Sequence, residues 1–252
     1  MGFSVDQIYR YPVKGLSPEK LARTAVVAGQ GIAGDRRFAI AHGSTAFDAE
    51  APAWMPKHNF LMLAKNERLA LLRTVFDDAT GTLTIERNGR QVVRADISTQ
   101  TGRTLVEQFF AAFMGSESRG SPKLVEAPGH MFSDTARKVV SLIGLASIAD
   151  IERVARAPVD LLRFRANLYI AGTRAWEEFD WLGREIVVGQ ARLRVLDRID
   201  RCPATSVNPA TAQRDMNVPR LLQDGFRHID CGVFAEIVAG GEIAPGDEVT
   251  LV

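Results

Sequence analysis

The stretch RTAVVAGQGIAGDRRFAIA, Arg23 to Ala41, decides how the chain folds. Gly29, Gly31 and Gly34 spell GxGxxG after an apolar run, the pattern that opens a dinucleotide-binding βαβ unit when a helix follows it. Here Asp35-Arg36-Arg37 and then FAIA follow, which read as a second strand. With no helix N-terminus to carry a pyrophosphate, the motif loses its mechanism. The glycines read as turn residues that tolerate positive φ, between two antiparallel strands.

Working outward, the same reading repeats. FSVDQIYRYPV alternates apolar and polar residues and predicts a strand ending at Pro12. Between Leu69 and Ile97, apolar segments are separated by turn signals at Asp77 to Gly81 and at Asn88-Gly89, the second a hairpin cue. Apolar residues at 105, 106, 109, 110, 113 and 114 predict a helix closed by Gly115, and the Gly, Ser and Pro-rich segment 115–134 a linker or rim loop. ASIADIERVARAP predicts a short helix stopped by Pro158. From Asn167 onward NLYIAG, REIVVG, ARLRVLDRI, GVFAEIVAG and DEVTLV come at short intervals, a spacing that favours a closed or nearly closed barrel. The expected class is mainly β (α+β), with a β-barrel-like N-terminal domain over 1–120 and a β-barrel with a few short helices over 121–252.

Composition narrows the function classes. At 252 residues, 46% hydrophobic and 24% charged, with a net charge of +1, the chain gives no bulk reason to expect nucleic acid or a membrane surface as partner. Only six of its 31 Lys+Arg are lysines, so arginine, the side chain suited to forked contacts with phosphate and carboxylate, dominates. Cys202 and Cys231 make neither a disulfide framework nor a CxxC zinc site. Together with the absence of a signal-peptide-like start, this predicts a cytoplasmic protein. SPEK, Ser17 to Lys20, lacks the partner motifs of serine-based penicillin-recognising enzymes, and four scattered histidines lack zinc-site spacing.

What remains clusters at expected strand ends: Lys14, Asp35-Arg36, Ser133-Asp134-Thr135, Arg163, Arg165, Asn167, and Arg201-Cys202 with Thr205, Asn208 and Pro209. Lys14, Arg36 and Arg165 suit a bound phosphate; Asp134, Thr135 and Asn167 suit a heterocycle with several donors and acceptors. Cys202 is a soft ligand for a transition metal, favoured as thiolate if the Arg201 head lies near its sulfur. On pattern alone it reads more readily as a small buried apolar residue, since cysteine is among the most buried residue types. Cys231, at the start of an apolar strand, reads as structural, and Trp176 and Trp181 read as packing residues.

YPVKG, GDRRFAI, SDT, RFRANLYIAG, EEFDW, RCPATSVNPAT and GGEIAPGDEVTLV, in that order, resemble MOSC-domain proteins with an N-terminal MOSC β-barrel domain, the group that includes the amidoxime-reducing molybdenum enzymes. The resemblance implies a molybdenum cofactor, a pyranopterin dithiolene, in the crevice between the two domains. It places Cys202 as the metal ligand and catalytic centre, with Lys14, Gly15, Arg36, Asp134, Thr135, Arg165, Asn167 and Arg201 as cofactor contacts. It implies reduction of N-hydroxylated small molecules, with electrons from a separate donor protein of ferredoxin-like or flavin/haem type. Ile199 stands where relatives carry the first cysteine of CxRC, Gly15 where a serine often follows PVK, and Ala166 where proline is usual. A sulfur carrier with a persulfide on Cys202, or a protein that stores the cofactor without turnover, are the alternatives.

Overall fold

The computed structural model describes residues 2–252. In chain order the strands are β1 (Phe3–Arg10), β2 (Glu19–Leu21), β3 (Thr24–Val26), β4 (Ala39–Ala41), β5 (Leu72–Asp77), β6 (Thr82–Arg87) and β7 (Arg90–Asp96). Helix α1 (Gln100–Met114) follows, then β8 (Lys123–Val125), β9 (Val140–Gly144), α2 (Leu145–Ala155), β10 (Leu168–Ala171), β11 (Glu185–Val188) and β12 (Ala191–Asp200). Helix α3 (Val218–Phe226), β13 (Asp230–Ala239), β14 (Gly241–Ile243) and β15 (Glu248–Leu251) complete the chain. The described residues are mainly β, with three α-helices.

Seven strands close a barrel in the order β10-β9-β13-β12-β11-β15-β1, with β1 pairing back onto β10. Period-two patterning drives the closure, because alternate side chains of each strand face one side. Val140 and Leu142, Leu168 and Ile170, Ile186 and Val188, Leu193 and Val195, and Val233, Ala235 and Ile237 fill one continuous core, joined by the fully buried Trp181. Each such aliphatic side chain contributes about 1.5–3 kcal/mol on burial, which an open sheet edge would forfeit in part. β1 belongs to the first residues of the chain, yet it is a barrel stave between β15 and β10. Cys231 and Ile143 point outward from the barrel into a separate core with α2 and α3.

The N-terminal part packs the hairpin sheet β5-β6-β7 and the β4-β8 pair around α1. Asn88 and Gly89 both take positive φ, 52° and 70°, as the tight hairpin turn between β6 and β7 requires. α1 starts on Thr99, whose side chain accepts from Gly102 N–H, and buries Val106, Phe110, Phe113 and Met114. After GxGxxG the chain turns through Gly34 (φ 75°) and Arg36 (φ 48°) into β4, with no helix.

Three features differ from the sequence reading. The segment 115–134 contains β8, which pairs with β4, because Leu124 reaches the N-terminal core. α3 was not expected; its Val218 and Leu222 are fully buried in the core outside the barrel, and nine residues give too short an apolar stripe to stand out. β9 and β10 are parallel, connected through α2, so the barrel contains one βαβ crossover. No helix among the described residues is long and apolar enough to cross a membrane.

Candidate functional site

One end of the barrel collects the loops that follow β1 and β12 and those that precede β9 and β10. Between them and the N-terminal part lies a cavity of about 360 Å³. Its walls carry Lys14, Gly15, Arg36, Asp134, Arg165, Asn167, Arg201 and Cys202, brought together from positions as far apart as 14 and 202. Thr135 does not reach the wall; its hydroxyl accepts from Arg137 N–H at 3.2 Å.

Cys202 is a free, half-buried thiol at the first position past Arg201, where β12 has ended. Pro203 to Ser206 form a single 3-10 turn after it, with Thr205 donating from both N–H and Oγ1 to Cys202 O, at 3.1 and 2.9 Å. Pro203, with its fixed φ, starts that turn. The turn therefore fixes the backbone of the cysteine.

The cations around it are differently employed. Lys14, buried, donates to Phe132 O at 2.9 Å and to Asp134 Oδ1 at 2.5 Å, and burial lowers its pKa. Arg36 pairs with the buried Asp35 and donates to Arg165 O at 2.9 Å. Arg165 donates to Leu16 O at 2.7 Å, and burial pulls its pKa down to about 10. Both guanidinium groups sit over the Tyr11 ring, at 4.6 and 4.2 Å, and both residues hold left-handed backbone, φ 48° and 53°. Converging like charges suit an anion, and strained non-glycine backbone clusters at functional sites. Arg165 and Arg201 have no carboxylate partner among the described residues, so they leave positive charge uncompensated. Arg163 Nε, also in the wall, is buried with no hydrogen-bond partner.

Arg201 does not turn its head to the sulfur. Its guanidinium donates to Cys231 O at 2.8 Å through Nε and to Phe164 O at 3.0 Å through Nη1, bracing the barrel end. The cation beside Cys202 is Lys57, which sequence reasoning missed. It lies in a single 3-10 turn of the N-terminal part, donates to Asp134 Oδ2 at 3.3 Å, and is held charged against its burial by Asp134 and by the Cys202 thiol. Nothing local in PKHN marks it, since its partners lie 77 and 145 residues away. Asp134, half-exposed, has its pKa lowered to about 2: burial opposes this, and Lys14 and Lys57 outweigh it. Asn167 is tied up internally, accepting from Ser141 N–H and Oγ at 3.1 and 2.9 Å and donating to Tyr9 O at 3.1 Å.

A closed β-barrel presents a free thiol at the rim of a cation-lined cavity, with a second β-rich part forming the facing wall. The chain belongs to the MOSC-domain family. Residues 127–250 match the MOSC domain and residues 2–120 the MOSC N-terminal beta barrel domain. It is similar to the human protein "Molybdenum cofactor sulfurase", 24% identical over 268 residues, covering 87% of this chain and 28% of the human protein. It is also similar to "Mitochondrial amidoxime reducing component 2" of Bos taurus, 25% identical over 122 residues, covering 44% of this chain and 36% of that protein. The chain thus spans about a third or less of these relatives' length. Among solved structures, the YUAD protein of Bacillus subtilis superposes with a TM-score of 0.45 at 13% identity, covering 99% of this chain and 94% of that one.

Proposed function

We propose that the chain is a molybdenum-cofactor-dependent reductase of N-hydroxylated or related N-oxygenated small molecules, with Cys202 Sγ as the metal ligand. One observation carries the reading: a free thiol at the rim of a cavity whose buried cations are not all neutralised. No group of three or more His, Cys, Asp or Glu among the described residues could hold a metal ion. A metal beside Cys202 must therefore bring most of its ligands with it, as a dithiolene carrier does. The orphaned Arg163 Nε–H and the uncompensated Arg165 and Arg201 suit the carrier's anionic tail. The fit is good.

Bound there, the cofactor would supply the two-electron chemistry that removes the substrate oxygen as water, with consumption of two protons. The chain's residues position it. Lys14, Arg36, Arg165 and Arg201 provide positive charge, Gly15 a backbone N–H on the wall, and Asp134 a fixed carboxylate beside Lys14. Thr135 acts from behind the wall, on loop geometry, and Asn167, in the wall, ties β1 to the strand ends at β9 and β10. Electrons come from a separate protein of ferredoxin-like or flavin/haem type, and both free cysteines suit a reducing compartment such as the cytoplasm. The family model boundaries support two domains, 1–120 and 121–252, although β1 crosses between them.

The test is metal analysis of protein made in a host that synthesises the cofactor. About one molybdenum per chain is expected for a single-ligand site, with Cys202→Ser abolishing reduction of an N-hydroxylated substrate. Loaded protein that keeps its activity without Cys202 would sink the proposal. Loaded protein that reduces nothing with any artificial donor points to storage of the cofactor instead. The 87% coverage by the human sulfurase supports a second reading, in which Cys202 carries sulfur as a persulfide. A mass increase of about 32 Da on Cys202 without molybdenum would favour it.

A further inference from the structure

The walls of the cavity come from two parts of the chain, and cations tie them together. Lys14 and Lys57 reach Asp134, and Arg165 reaches Leu16 O, all from within the cavity wall. One further tie lies outside it. Arg214 sits in the loop that follows Cys202, and its guanidinium is about a third exposed. Nη1 donates to Pro203 O at 3.0 Å, while Nη2 donates to Leu63 O at 3.2 Å, Ala64 O at 2.9 Å and Glu67 Oε2 at 3.1 Å. Pro203 adjoins Cys202, and Leu63 and Ala64 form the opposite wall. A single fork therefore bolts the backbone beside the sulfur to the backbone facing it.

The segment it holds is a short turn anchored at its far end, where Asn66 Nδ2 donates to Glu117 Oε2 at 2.9 Å. Lys65 and Asn66 donate to Met62 O at 3.0 and 2.8 Å, and Asn66 Oδ1 accepts from Met62 N–H at 3.1 Å. With that end anchored, the Arg214 tie across the gap holds the near end, Leu63 and Ala64, at its distance from the cysteine loop. Three acceptors share the two N–H bonds of Nη2 and a fourth takes one from Nη1, a spread in two directions that suits a planar guanidinium and exceeds the reach of an ammonium.

We propose that Arg214 is a latch that sets how large a molecule reaches Cys202, acting as a positioning residue that holds turn 62–66 against the cysteine loop. The proposal rests on Cys202 being the reactive centre, and its test reads the sulfur directly, so it stands or falls separately from molybdenum binding.

The experiment uses the full chain purified from a host that does not make the cofactor. Cys202 is modified with N-ethylmaleimide and with the bulkier fluorescein maleimide, and each rate is followed by peptide mass spectrometry at Cys202. The two reagents share one chemistry, so the ratio of their rates cancels thiol ionisation and leaves access. Arg214→Gln is expected to raise the bulky-to-small ratio about tenfold, the scale of one net hydrogen bond to a charged, partly solvated group. Arg214→Lys should restore part of it. An unchanged ratio in folded Arg214→Gln overturns the proposal, as does an equal acceleration of both reagents. Should Arg214→Gln not fold, Glu67→Gln removes one of the four acceptor contacts as an ion pair, and a ratio that fails to rise there also overturns it.

Discussion

Replacing Asn167 with leucine separates a structural role from a ligand contact. Leucine keeps the branched outline of asparagine but is larger, so the change removes hydrogen bonds without opening a void, and crowding only adds to the cost. Three side-chain bonds are lost: two accepted from Ser141 and one donated to Tyr9 O. Each is worth about 1 kcal/mol net, and a buried backbone group left unpaired, here Ser141 N–H or Tyr9 O, costs about 1–3 kcal/mol. Asn167 is 2% exposed, so water cannot replace the lost partners. The sum is about 4 kcal/mol, or a melting temperature lower by about 10 °C for a chain of this size. Urea unfolding followed by tryptophan fluorescence, with a parallel thermal scan, measures both. A loss below about 1 kcal/mol would refute the reasoning. If molybdenum binding were lost with stability unchanged, the amide would belong to the ligand rather than to the β1–β9–β10 junction.

Three further outcomes follow from the site. Asp134 titrates at about 2 instead of 3.8, so its ion pairs stabilise the fold above pH 4 and are lost as pH falls toward 2; the stability gap between the protein and Asp134→Asn should therefore narrow across that window, measured by urea unfolding at stepped pH. Cys231 is fully buried, and burial pushes its thiol up to about 12, so native protein at pH 8 should take up a single maleimide, at Cys202, and denatured protein two, read by intact mass. Lys57→Met should lower the iodoacetate-to-iodoacetamide rate ratio at Cys202 about fivefold, because one partly exposed positive charge close to the sulfur is worth about 1 kcal/mol toward an anionic reagent; a ratio that holds would show that the Lys57 charge does not act at the sulfur.

The sequence made the barrel legible because each stave carries its own evidence. In ARLRVLDRI, alternate residues face the core, and the structure buries Leu193 and Val195 while Arg192 and Arg194 stay outside. The Asn88-Gly89 hairpin was equally readable, since its positive φ values are a local requirement that few residues meet. α3 escaped notice because its apolar face spans barely two turns, and β8 because three residues show no period. The candidate site was readable as a set of odd residues at strand ends, yet the duties of its members were not. Arg201 looked like the partner of the adjacent thiol, but side chains of neighbouring residues at a strand end diverge, and its head braces two carbonyls instead.

The sequence alone therefore determined the mainly β character, the closure by period-two strands, the failure of GxGxxG as a nucleotide motif and the place of Cys202 at a strand end. Each follows from local geometry and from which side chains must leave water. Only the tertiary structure decided that β1 is a stave of the barrel, that Lys57 rather than Arg201 stands by the sulfur, and that Arg214 ties the cysteine loop to turn 62–66. Those facts depend on which carbonyls and carboxylates lie within about 3 Å of a long cationic side chain after folding, and sequence separation carries no information about that distance.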